Sequence, residues 1–186
     1  MDHQLQEICE AYRARLAGKR TGWCQLYPGQ DERRWTTQQV VEHLVLTLRG
    51  TAQVLETRLE KGRPTRARTT LLQRARRLAT LSLGWIPRGM PAPPFARPGL
   101  LHWPAMGGAE LADLLRRELE NLDGLLDRGA AQFGKQAAGS HFLLGPMSAK
   151  QWRRFHTVHC RHHLGQLERI ATAVGPNAQE PEPAAK

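Results

Sequence analysis

Cysteine is scarce in this chain of 186 residues. Cys9, Cys24 and Cys160 are odd in number and widely spaced. They form no CxxC pair, which argues against a disulfide framework and fits a reduced, cytoplasmic setting. Long apolar runs are also missing, because Arg, Gly or Pro interrupts each one, so no transmembrane span is expected. The start, Met1-Asp2-His3-Gln4, lacks a basic stretch leading into an apolar one, so no signal peptide is expected. Strand-type alternation is absent, and so is any repeat with a period of 20–50 residues. Acidic residues are absent from one region. Residues 61–97 carry Lys61 and eight arginines, among them Arg74, Arg76, Arg77 and Arg88, with no Asp or Glu. The chain's net charge of +10 is therefore almost entirely local to that segment.

What is present is helical periodicity. Asp2 is placed to cap a first helix reaching about Gly18, with Leu5, Ile8, Cys9, Tyr12 and Leu16 on one face. Residues 22–34 read as a loop. Thr36-Thr37-Gln38-Gln39 has the capping-box pattern and opens a second helix to about Lys61. Its inner stripe is Val40, Leu44, Leu48, Thr51, Leu55 and Leu59, with His43 and Thr47 on the flank. Residues 62–106 break the pattern, with a short basic helix near 69–83 and a proline-rich stretch from Pro87 to Pro104 that must be extended or turning. A third helix runs from about Ala109 to Ala131 on a leucine stripe, and 134–145 reads as a loop. Ser148-Ala149-Lys150-Gln151 is a second capping box, opening a fourth helix to about Val174, which Gly175-Pro176 stops. The fold class expected is all-α: a four-helix bundle over residues 1–175, with a long crossover between helices two and three and a disordered tail at 176–186.

Four of the eight histidines fall within Phe155–His163 on the fourth helix. His159 and His163 are four apart, which stacks their imidazoles on one face. Trp152, Phe155, His156, Gln166, Leu167 and Ile170 share that side, which should point inward. Polar groups on a core face need partners, and a metal would satisfy the two histidines together. His43, on the inner flank of helix two, supplies a third imidazole if the two helices face each other. Three histidines and an open position make the pattern of a catalytic metal site. His156, one turn earlier on the same face, is the rival for a ligand role. His162 lies about a hundred degrees around the helix from His163 and reads as a flank residue. Cys160 reads as packing, as do all five tryptophans.

The segment Trp35-Thr36-x3-Val40-x2-His43-Leu44 resembles the opening of the second helix in the DinB-like metal-binding four-helix bundles. His159-x2-His162-His163-x2-Gln166-Leu167 resembles the terminal helix of that family. The lead-in from His141 to Ser148 is similar to one branch of it, departing at Phe142, where proline is usual, and at Leu144, where phenylalanine is usual. The resemblance covers roughly residues 1–60 and 107–174. It implies His43, His159 and His163 as ligands to a divalent metal, often zinc or nickel, and a homodimer. Some members are transferases or isomerases that use low-molecular-weight thiols.

Three functional readings arise. In the first, a metal-dependent S-transferase activates a low-molecular-weight thiol; Gln166 orients a ligand or substrate, and the basic 61–97 segment draws a small anionic substrate to the mouth. In the second, a hydrolase activates water at the same site, but no HExxH is present and Glu42 points off the His43 face. In the third, the Arg-rich segment makes a non-enzymatic contact with nucleic acid or another anion. The near absence of aromatics there, apart from Trp85 and Phe95, argues against nucleic acid.

Overall fold

The computed structural model describes residues 1–175, so the expected disordered tail at 176–186 lies outside the described residues. The protein is mostly helical. Helix α1 spans His3–Leu16, a short α2 spans Thr21–Cys24, α3 spans Thr37–Glu60, α4 spans Leu71–Arg77, α5 spans Gly108–Phe133 and α6 spans Ala149–Val174. Each long helix starts where its local chemistry dictates. Asp2 accepts from the Gln4 amide at α1. Thr36 with Gln39 and Ser148 with Gln151 form full capping boxes at α3 and α6, satisfying amides that would otherwise be unpaired.

The apolar stripes meet in one core containing Leu5, Tyr12, Leu44, Leu48, Leu115, Leu119 and Ile170, all buried. Both α1 and α3 pack on α5 and on α6, and α3 and α6 also touch each other directly. Tyr12 Oη donates to the Cys160 carbonyl at 2.8 Å, tying α1 to α6 in the interior. Arg153 on α6 bonds Asp123 on α5 at 2.7 Å, and Asp123 also accepts from the Asp2 amide. At the α1–α5 junction, a Cβ on Gly108 would lie 2.1 Å from the Leu16 carbonyl oxygen, so only glycine permits that approach.

Two of the expected loops carry structure. Within the mostly helical fold, a small hairpin of β1, Gly139–His141, and β2, Gly145–Met147, pairs antiparallel where a loop was expected. Its strands are too short to show an alternating pattern. The 22–34 stretch contains α2 and a 3₁₀ turn at Pro28–Gln30 rather than plain loop.

The crossover, residues 61–107, runs over the α3–α6 side. It begins its helical part with the Thr70–Gln73 capping box of α4, continues as a wider turn at Leu78–Ser82, and includes a 3₁₀ turn at Pro94–Ala96. Side chains of the long helices pin it. Glu42 Oε1 accepts from the Gly99 and Leu101 amides at 2.9 and 3.1 Å, and Gln38 Nε2 donates to the Pro104 carbonyl. Arg154 donates to the Leu81 carbonyl, and Arg77 to the Pro146 carbonyl on β2. Among the described residues, no helix is long and apolar enough to cross a membrane.

Candidate metal centre

Helices α3 and α6 bring His43, His159 and His163 together, each buried. One nitrogen of each lies within 4.8 Å of the others. Nε2 of His159 is 3.4 Å from Nε2 of His43 and 3.1 Å from Nε2 of His163. The opposite ring nitrogens explain why these atoms converge. His43 Nδ1–H donates to the Ala96 carbonyl at 2.7 Å. His163 Nδ1–H donates to Gln166 Oε1 at 2.8 Å. A carbonyl oxygen only accepts, so both Nδ1 atoms carry the proton and both Nε2 atoms keep a lone pair facing the cluster. The 3₁₀ turn of the crossover supplies the first anchor, and the i,i+3 geometry of α6 supplies the second.

All three imidazoles are held neutral. Burial pushes His43 below the ordinary histidine value, pushes His159 well below it, and takes His163 to about 3, with the neighbouring histidines adding to the last two. A neutral imidazole is the ligating form. Two nitrogens bound to one tetrahedral ion at ordinary Zn–N distances stand about 3.3 Å apart, which matches the two spacings that His159 makes. Without a cation the cluster is poorly satisfied. At most one proton, on His159, can be shared among three Nε2 atoms, and His159 Nδ1 is itself buried without a hydrogen-bond partner among the described residues. The donor set therefore fits a divalent metal ion.

The surroundings are aromatic. Phe155 stacks on His159 with rings 14° apart, and Trp35 lies 5.0 Å from the His43 ring and stacks at 17° over His163. Trp35 is therefore part of the wall of the site, a role beyond the packing its position suggested; its place directly before the Thr36 cap was the available signal. The cluster opens into a cavity of about 1400 Å³ between the α3–α6 face and the crossover.

The other sequence candidates sort as follows. His156 is fully buried but lies apart from the cluster, its Nε2 against Thr51 Oγ1 at 3.0 Å. The group of three does not include it. His162 is half-buried at the cavity wall beside His163, on the flank as expected. Cys160 is buried. Glu42 does point away from His43, and its work is to hold the crossover amides. Ala96 was missed, since a backbone carbonyl in an irregular segment leaves no residue-type signature.

Residues 94–170 match the sequence model of a family described as "Protein of unknown function (DUF1569)". The match includes Ala96, His159, His163 and Gln166 but stops short of His43 and all of α3. No curated protein and no solved structure matches the chain.

Proposed function

We propose that the protein is a DinB-like four-helix-bundle metalloenzyme that holds zinc or nickel on His43, His159 and His163 and transfers a low-molecular-weight thiol to a small electrophile, as a homodimer. The observation that carries this reading is the convergence of three Nε2 atoms, two of them fixed as lone-pair donors by Ala96 and Gln166.

When bound, a divalent ion lowers the pKa of a coordinated thiol toward neutrality. The chain's own residues do the rest. Ala96 and Gln166 hold two rings in the ligating tautomer, and Phe155 fixes the plane of His159. Trp35 and the buried helix faces exclude water from one side, and the cavity receives the second substrate from the other.

Hydrolysis would need a base to take a proton from water. No Asp or Glu lines the cavity among the described residues, and Glu42 is committed to backbone amides. Thiol transfer asks less, because a thiol, with an ordinary pKa of about 8.5, releases its proton to solvent far more readily than water does, and this favours it.

The test is to incubate zinc- or nickel-loaded protein with a low-molecular-weight thiol and a bimane electrophile, beside an ester hydrolysis assay. The expected result is metal-dependent thiol consumption, lost in His159→Ala, with no ester turnover. Ester turnover without thiol consumption would replace this reading with hydrolysis.

A further inference from the structure

The long helices bury their large apolar side chains, but the crossover does not. Of the large hydrophobic residues left exposed among the described residues, only Met1 and Phe142 lie outside it. Five are crowded into residues 71–85: Leu71, Leu72, Leu78, Leu83 and Trp85, each between 58% and 82% exposed.

Their exposure follows from how α4 is seated. Arg77 donates to the Pro146 carbonyl, Gln73 lies against Gly145, and the Leu81 carbonyl accepts from Arg154. Gln73, Arg77 and Leu81 succeed one another four residues apart, so they mark the inner face. Leu71, Ala75 and Leu78 recur three or four apart on the other side, with Leu72 beside them, and all four are exposed. The segment is therefore amphipathic in the reverse sense: polar groups are used inward as ties, and leucines point to solvent. A contiguous apolar face left open in this way marks an interaction surface.

Cations edge that face. Arg74 comes three residues after Leu71 and four before Leu78, and Arg76 comes four after Leu72. One guanidinium thus stands on each side of the leucines. Both arginines are exposed, as are Arg66 and Arg68 just ahead of the helix. None of the four has a carboxylate partner among the described residues, and residues 61–97 contain no Asp or Glu.

This pattern selects the occupant. A second copy fits badly, because a two-fold contact would lay the face on itself and oppose like charges. Nucleic acid would meet the arginines but leave the leucines without an apolar partner. An anionic bilayer surface satisfies both: leucines enter the acyl boundary, and guanidinium groups stay at the lipid phosphates with their apolar stems along the interface. We infer that the outer face of α4 and the turn after it docks the protein on an anionic lipid surface. Trp85, which also lines the cavity, closes this segment with the residue type favoured at membrane interfaces. Docking in this way makes no use of the metal centre.

Co-sedimentation of the full chain with vesicles tests it, comparing phosphatidylcholine alone with an equal mixture of phosphatidylcholine and phosphatidylglycerol. Binding to the mixture is expected to be about tenfold stronger or more, and to weaken as salt is raised. Leu71→Ser/Leu78→Ser and Arg74→Gln/Arg76→Gln should each lose about tenfold or more of that binding. These side chains are exposed, so circular dichroism and Tm should match the wild type. Arg13→Gln/Arg128→Gln, which removes as much charge from α1 and α5, should bind as the wild type does. No binding, no preference for the anionic mixture, or an equal loss in the Arg13/Arg128 control would overturn the inference. So would binding that the leucine variant leaves intact and duplex DNA competes away, because the arginines would then serve a nucleic acid. A wild-type dimer that dissociates in the leucine variant would overturn it too, by assigning the face to a second copy.

Discussion

A neutral imidazole has one lone pair, and the partner of one ring nitrogen decides where on the ring it sits. At His163 that decision belongs to Gln166, one turn on, whose Oε1 takes the Nδ1 proton. Gln166→Leu should leave all three ligands in place yet weaken metal binding by about 10–100-fold, while Gln166→Glu, which keeps the acceptor, should retain it. Competition with a chromogenic chelator reads this directly, and equal affinity in Gln166→Leu would show that the amide does not orient the ring. His156 shows the limit of reading a face from spacing. It sits on the inward side as expected, but α6 turns it toward Thr51 rather than toward His43, a choice made by the facing helix and invisible along α6 alone.

At the scale of elements, the starts of α1, α3 and α6 were legible because a cap is a contact within four residues. The meeting of α3 and α6 was legible in part, since each presents its histidines on the face that also carries its apolar stripe. The hairpin and the course of the crossover were not. Their contacts are between backbone groups and side chains far away in sequence, such as Glu42 with the Gly99 and Leu101 amides. That carboxylate holds the segment whose Ala96 carbonyl orients His43. Glu42→Ala should therefore release residues 94–106, so that chymotrypsin cuts after Phe95 or Leu101 several times faster, and metal affinity should fall although no ligand has changed. Unchanged cleavage would mean that the crossover is held by other contacts.

For the whole molecule, the buried histidines couple stability to pH. Burial takes His141 to about 4, and burial together with His141 takes His156 to about 3, from an ordinary value of 6.5. Their native pKa values are depressed, so the unfolded chain binds more protons below about pH 6.5. Their contribution to stability is complete above that pH and is lost as pH falls toward about 3. With chelator present, Tm should be flat near neutrality and decline steadily below about pH 6.5, less steeply in His156→Met. A Tm that holds level down to about pH 4 would contradict this. The same burial that makes these rings resist protonation keeps His43, His159 and His163 neutral and competent to ligate, so the assembled fold, rather than any one helix, makes the centre. Elemental analysis of the purified full chain beside His159→Ala is the direct test of that centre. About one divalent metal ion per wild-type chain is expected, with most of it lost in the variant, because one of three ligands is gone. Wild-type protein that stays metal-free after incubation with zinc or nickel would show that the three histidines do not form a metal site.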